Sequence, residues 1–302
     1  GGGRRFHQLQ ARGIAMYMLK KIKHKIIHLL RKYQPFNALM YFYNSHGRLP
    51  NKSLRKSSFN DFLYYRKKQL WNVDLSKYTD KIKCKEYIKE TIGPGYCVPI
   101  QGIFNIAEDI IPNKLTYPCV LKSNHASQQV IFLNSPNDIT DNVLQQANAW
   151  LKVDYFKLSS EPSYKNIKPK LFVEPMLNLG AVSDYKFFCF SGIVKAIQVD
   201  INRFTNHQRC YYSKSWEKLE FSCHFPLYPL PLPRPNKLDE MIRIAEKLSK
   251  RFIFVRIDLF ETPEKIFMGE MTFFPGNGTE QISPDSANIW LMQALKESPN
   301  LI

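Results

Sequence analysis

Polar and apolar residues alternate with two different periods along this chain, and the periods divide it into helical and extended regions. Residues 18–33, MLKKIKHKIIHLLRKY, set Leu19, Ile22, Ile26, Ile27, Leu29 and Leu30 along one broad helical stripe. Lys20, Lys21, Lys23, Lys25, Arg31 and Lys32 lie against it, which predicts a basic amphipathic helix. Residues 60–72 and 80–92 read as further helices, the second with Thr79 as its N-cap and Gly93-Pro94-Gly95 as its stop. The pattern then shortens into strands at 98–104, 118–124 and 129–133, followed by a helix near 137–153. A strand at 170–177 precedes a hairpin in which DYKFFCF and IVKAIQVDI flank Ser191-Gly192.

The proline-rich run FPLYPLPLPRP, residues 225–235, excludes a regular element and marks a surface excursion. Beyond it Asn236 is the expected cap of a helix carrying Leu238, Met241, Ile242, Ala245 and Leu248 at helical spacing. Two more strands, residues 252–260 and 265–273, are joined by a short turn, and a helix near 285–297 closes the sequence. The fold class expected from this order is α+β.

Composition changes the picture in one place. Of the 43 Lys and Arg, thirteen fall within residues 1–60, where there is no Asp or Glu, so the rest of the chain is close to neutral despite a total of +17. The basicity belongs to an N-terminal extension, which argues against a nucleic-acid-binding domain and allows the helix at 18–33 to lie on an anionic membrane surface. An equally good reading packs that helix on its own domain. Residues 1–16 read as a tag or disordered leader. The six cysteines show no CxxC spacing and sit in apolar runs, as free thiols of a reducing compartment do. No stretch has the length and hydropathy of a membrane span, so the expected location is the cytoplasm, with peripheral attachment to the inner face of the cytoplasmic membrane.

The chemistry concentrates near the C-terminal end. Alternation puts Val255, Ile257 and Leu259 on one face of the strand at 252–260 and Arg256 and Asp258 on the other. In its partner Phe267, Met271 and Phe273 share a side, with Met268, Glu270 and Thr272 opposite. A short turn sets Asp258 opposite residue 267 or 268, with Glu270 as a diagonal neighbour at roughly 7–8 Å. Two carboxylates so close call for a cation between them, and Mg²⁺ takes hard oxygen ligands of this kind, while Arg256 suits a phosphate or an oxyanion. The same residues fit an exposed hairpin face bearing an ion pair. The turn that follows, Phe273-Phe274-Pro275-Gly276-Asn277-Gly278, exposes backbone where Gly276 and Asn277 can meet an anionic substrate.

The order Lys122 in VLKSNH, Glu174 in FVEPML, Arg256-x-Asp258 and Glu270-x-Thr272-x-x-Pro275-Gly276 resembles the ATP-grasp superfamily. It looks most like the TupA-like ATP-grasp proteins of bacterial surface-polysaccharide clusters, with similar strings spread over about residues 78–280. The resemblance implies an ATP-grasp fold with the nucleotide held between two α+β lobes. Its parts would be a basic helical extension at 17–60, an N-terminal lobe at 61–117, a flap subdomain at 118–177 and a catalytic subdomain at 178–302. It further implies that Lys122 holds the α/β phosphates, with Lys81 and Lys186 as further contacts. Glu174 and the backbone at Met176 and Leu177 would form the adenine hinge, and Asp184 would reach the ribose. Asp258, Glu270 and Thr272 would ligate Mg²⁺, and Arg256 would steady the transferring phosphoryl group.

The activity so implied is an ATP- and Mg²⁺-dependent carboxylate–amine ligase, joining an amino acid or other amine to the uronic acid of an acidic glycan. Arg203, His207 and Arg209 in RFTNHQR are the candidates for holding the acidic acceptor. A sugar or lipid kinase, or a nucleotide-binding scaffold without turnover, would use the same nucleotide site. The chain departs from the family pattern in its flap, which reads Asn124-His125-Ala126-Ser127-Gln128-Gln129 where family members carry glycines, and in Thr272 where they carry Asn.

Overall fold

The structure is a computed structural model and describes residues 33–53, 57–177, 184–202 and 206–296. The helix expected at 18–33 lies outside the described residues except for Tyr33, and so does Arg203. Four helices come first: α1 (Gln34–His46), α2 (Phe59–Gln69), α3 (Ser76–Thr79) and α4 (Cys84–Ile92). α1 was not expected. It enters on Pro35, which presets φ for a first turn, and packs Ala38 and Phe42 against Tyr64 of α2.

α2 begins at a capping box. The Ser58 hydroxyl accepts from the Asp61 amide, and the Asp61 carboxylate accepts from the Ser58 amide at 2.7 Å. Arg48 grips the same carboxylate through both guanidinium nitrogens at 2.8 and 2.9 Å, so the first acid of the chain is a buried clasp rather than a surface charge. The cap expected at Thr79 is displaced: Thr79 ends α3. Asp80 accepts from the amides of Ile82 and Lys83 at 2.9 and 3.3 Å and turns the chain into α4.

The strands form two principal antiparallel sheets. The smaller has the order β1-β4-β2-β3, from β1 (Gly102–Phe104), β2 (Cys119–Ser123), β3 (Val130–Leu133) and β4 (Leu171–Pro175). Two helices, α5 (Asp141–Leu151) and α6 (Tyr155–Ser159), lie between β3 and β4 in the chain, and α5 buries Ala147 and Trp150 beneath this sheet. The larger sheet has the order β11-β10-β5-β6-β7-β8. Its strands are β5 (Asp184–Phe190), β6 (Ile193–Ile201), β7 (Gln208–Tyr212), β8 (Lys218–Leu219), β10 (Phe254–Glu261) and β11 (Ile266–Thr272). A short pair joins β9 (Ser222–Cys223) to β12 (Ile282–Ser283).

One face of the large sheet is apolar. Val255, Ile257, Leu259, Phe187, Cys189, Ile197 and Val199 are fully buried there under α7 (Leu238–Ser249), whose Leu238, Met241, Ala245 and Leu248 face the core. Asn236 does not cap α7; the N-cap position falls to Lys237, whose amide donates to Glu261 at 2.8 Å. α8 (Asp285–Lys296) closes the described chain. All six cysteines are free and buried. Among the described residues no helix is long and apolar enough to cross a membrane.

Candidate active site

The second face of the large sheet carries charge across five strands, because paired residues share a face. Glu270 of β11 stands directly opposite Asp258 of β10, Asp258 opposite Lys186 of β5, Lys186 opposite Gln198 of β6, and Gln198 opposite Tyr211 of β7. The register corrects the expectation that Asp258 faces residue 267 or 268. A bulge after Asp258 leaves Gly269 without a partner, so Asp258 pairs with Glu270 while Leu259 pairs with Met268. Met268 therefore turns into the core instead of sharing a side with Glu270. A side chain at 269 would meet the Phe260 ring at 2.9 Å and the Asp258 carbonyl at 3.1 Å, which is why glycine occupies the bulge.

Arg256 ties the row together. Its Nε and one terminal nitrogen donate to the two Asp258 oxygens at 2.7 Å each, and that nitrogen also donates to Thr272 Oγ1 at 3.2 Å and Glu270 Oε1 at 3.4 Å. Lys186 pairs with Asp184 and lies 3.4 Å from Asp200 and 4.0 Å from Asp258. Arg209 continues the chain of charge, donating to Asp200 at 2.8 Å and Glu280 at 2.9 Å. Burial pushes the Asp258 carboxyl up against the pull of Arg256 and Lys186. Glu270 is held below its ordinary value, because Lys81, Arg256 and Lys186 outweigh its burial.

Two carboxylates and a hydroxyl on adjacent strands form a hard-oxygen donor set that fits Mg²⁺ completed by phosphate oxygens. Among the described residues no three His, Cys, Asp or Glu converge on one point.

The small sheet supplies the opposing wall. Glu174 is buried and neutralised from two directions, by Lys122 of β2 at 2.7 Å and Lys85 of α4 at 2.6 Å. Met176 and Leu177 follow, half-buried, with the Met176 amide on the Pro118 carbonyl at 3.0 Å. Lys81 is bonded to the flap and lies within electrostatic reach of the large sheet. Its amide donates to the Asn124 carbonyl at 3.1 Å, its ammonium to the Ala126 carbonyl, and its charge acts on Lys122 and Glu270 alike. Burial lowers its pKa. The flap curls at Gln128, whose φ of 63° is a conformation that glycine adopts without strain.

Of the expected acceptor residues, Arg203 lies outside the described residues, while His207 and Arg209 meet on Asp200 Oδ1 at 3.1 and 2.8 Å. Arg209 does not lie on an exposed basic loop: it is a buried residue of β7 whose guanidinium is shared by Asp200, Glu280 and the Cys223 carbonyl, leaving it no free fork for an acidic glycan. His207 stacks on Phe225 with ring centroids 3.8 Å apart. Gly276, Asn277 and Gly278 form a tight left-handed turn with φ of 53°, 57° and 66°. A cavity of about 400 Å³ lined by Tyr185, Trp216, Arg234 and Glu261 shares no residue with the charged row, and Tyr185 belongs to the sheet's opposite face.

Lys85, Asp200 and Glu280 enter the site without having been singled out from the sequence, and so do two further buried charges. Lys67 of α2, 3% exposed, donates to the Asn277 carbonyl at 2.8 Å and to its side-chain oxygen. Glu161, 7% exposed, follows α6 and lies within electrostatic reach of Lys67, Glu270 and Arg256. In sequence Lys67 is one of a Lys-Lys pair in a helix, a pattern usual for a solvated face. The one local hint is that Leu63 and Lys67, four residues apart, fall on the same buried face of α2.

Two facing antiparallel α+β lobes, with paired lysine and glutamate on the smaller and R-x-D and E-x-T strands on the larger, define an ATP-grasp protein. The family profile described as TupA-like ATPgrasp matches residues 61–296, and the chain belongs to that family. Solved structures of similar fold include a D-alanine–D-alanine ligase from Bacillus anthracis, at 15% identity and TM-score 0.44, covering 73% of this chain and 66% of that one. An L-amino acid ligase from Bacillus licheniformis matches at 14% identity and TM-score 0.43, covering 73% and 50%. An ADP complex of N5-carboxyaminoimidazole ribonucleotide synthetase matches at 15% identity and TM-score 0.44, covering 65% and 45%. The chain spans about two thirds or less of the length of each. No curated protein matches it.

Proposed function

We propose that the protein is an ATP- and Mg²⁺-dependent carboxylate–amine ligase that joins an amino acid or other amine to a uronic acid of a bacterial capsule or O-antigen polysaccharide. The observation that carries this reading is the direct opposition of Asp258 and Glu270 across the bulged hairpin, with Arg256 and Thr272 on the same face. Bound there, Mg²⁺ supplies charge neutralisation to the nucleotide's phosphates. Arg256 offers a positive charge held in place by Asp258, suited to the charge that builds on a phosphoryl group in transfer. Lys122 and Lys81 add positive charge on the flap side. The acceptor carboxylate takes the γ-phosphoryl group with release of ADP, and the amine then displaces phosphate from the acyl carbon to leave an amide.

The substrate class follows the family, and residues 18–33 would hold the protein against an anionic membrane surface where a growing glycan is assembled. No nucleic-acid partner is expected. The test is to incubate the protein with Mg-ATP, a panel of uronic acids and a panel of amino acids, and to follow ADP release together with new mass. An amide product in one pair supports the ligase. A stable phosphoester in its place, or ADP release that no uronic acid stimulates and Asp258→Asn leaves unchanged, sinks it.

A further inference from the structure

Glu161 is set apart from every other acid around the site by what it lacks. Asp258, Asp200 and Glu174 each have a cationic side chain within 2.8 Å. Among the described residues the Glu161 carboxylate accepts no hydrogen bond and has no cation within 4.0 Å. Lys67 acts on it only through space, since the Lys67 ammonium is committed to Asn277.

This acid is nevertheless held in a fixed place. The Ser159 carbonyl accepts from Asn277 Nδ2 at 2.9 Å, Ser160 is bonded to Gln34 and Asn37 of α1 at 2.8 and 2.9 Å, and the Glu161 amide donates to Ser159 Oγ at 3.2 Å. Two phenols stand nearby. Tyr155 and Tyr164 pack edge to face, 4.7 Å between centroids, and the charges of both Glu161 and Glu270 bear on each of them. An acid so buried, in a segment braced by α1 and by the turn at Asn277 and denied a partner, leaves one coordination site open for a cation that arrives from outside. A metal ion would need several hard oxygens there, whereas two cations, Lys67 and Arg256, already bear on this acid beside one further carboxylate, Glu270, and two phenols. A cation that brings its own protons fits.

We propose that Glu161 binds the ammonium group of the incoming amine substrate and takes its proton. This rests on the ligase reading above. The ammonium gives one proton to the Glu161 carboxylate, and the freed lone pair forms the new C–N bond at the acyl phosphate carbon. The C–O bond to phosphate breaks, and the second proton of the nitrogen leaves with the phosphate. Lys67 is a positioning residue: it fixes Asn277, which fixes Ser159, and its charge helps keep the carboxylate ready.

The test compares wild type with Glu161→Gln using two nucleophiles, with methyl uronosides as the carboxylate probes. Hydroxylamine, neutral at pH 7, traps the activated carboxylate as a hydroxamate without needing an ammonium site or a base. Amino acids need both. The ratio of amide to hydroxamate rate should fall about 100-fold or more in the variant, and Glu161→Asp should restore part of it. The melting temperature of Glu161→Gln should rise by a few degrees, because an unpartnered buried carboxylate works against the fold. An equal fall with both nucleophiles overturns the proposal by assigning Glu161 to the ATP step. A melting temperature lowered by several degrees overturns it by making Glu161 a structural partner of Lys67. A wild-type protein that forms no hydroxamate with any uronoside refutes the ligase reading itself, and this proposal with it.

Discussion

The two sheets that meet at the site are built to different standards of rigidity. The six-stranded sheet rests on the largest buried cluster of the molecule, and each charge on its polar face is locked to a neighbour on the same or the adjacent strand. The four-stranded sheet has a smaller core, and its edge strand β3 leaves Val130 and Phe132 exposed. Its Glu174 carboxylate is shared by Lys122 within the sheet and Lys85 of α4. On the proposed function the difference separates duties: the groups proposed to hold phosphates and metal sit on the stiff sheet, and the wall proposed to admit nucleotide is the softer one.

The largest effect that would break this comparison is on the stiff side. Asp258→Asn keeps the side chain's shape and its hydrogen bonds to Arg256 in part, yet removes a metal-directed charge; ATP turnover should fall about 100-fold or more with less than a few degrees of change in melting temperature. Turnover that survived would move the phosphate site away from β10. Next comes the soft side. Glu174→Gln strands Lys85 and Lys122 without a counter-charge and should cost about 2 kcal/mol in urea unfolding, with faster amide exchange in β2 and β4 than in β5 and β10. Equal exchange in both sheets would show that they open as one.

A smaller effect sharpens the electrostatic half of the contrast. Burial resists the charge on Asp200, but Lys186 and Arg209 overcome it and hold its carboxyl well below the ordinary carboxylate range. A depressed folded-state pKa gives stability that is present above the unfolded value near 4 and disappears as pH falls through the folded one. Asp200→Asn should therefore flatten the loss of stability on acidification below about pH 4, read as unfolding free energy against pH. An unchanged slope would mean that Lys186 and Arg209 are balanced by other acids. The smallest effect lies in the flap. Gln128→Gly relieves a left-handed backbone but loosens the unfolded chain, for a net gain of less than about 1 kcal/mol, and should lower the KM for ATP by about two- to three-fold if backbone approach to phosphate is limited there. A raised KM would show that the Gln128 side chain contributes to closure.

Strand alternation alone placed Arg256 and Asp258 on the polar face, and the order of Lys122, Glu174 and the late hairpin was enough to suggest the fold. The facing of Asp258 and Glu270 was not legible from turn length, because register depends on the bulge; a lone glycine in the string M-G-E, inside a strand, was the available signal. Arg209 read as exposed because Arg-x-x-x-His-x-Arg looks like a basic loop, and nothing local reveals that Asp200 and Glu280, nine and 71 residues away, neutralise it. Lys67 and Glu161 were invisible for the same reason: each is unremarkable among its sequence neighbours, and their proximity exists only after α2 and the segment following α6 are brought together.

α1 precedes the stretch matched by the family, yet it holds both loops that frame Glu161. It bonds Ser160 through Gln34 and Asn37, takes the Leu158 carbonyl with Tyr41 at 2.6 Å, and sets His46 3.2 Å from the Gly278 carbonyl. The stretch matched by the family and the stretch that frames Glu161 thus have different boundaries. If Glu161 holds the amine as proposed, a lineage can redraw which amine is admitted by rewriting α1, a helix that contributes no residue to the row of Glu270, Asp258 and Lys186.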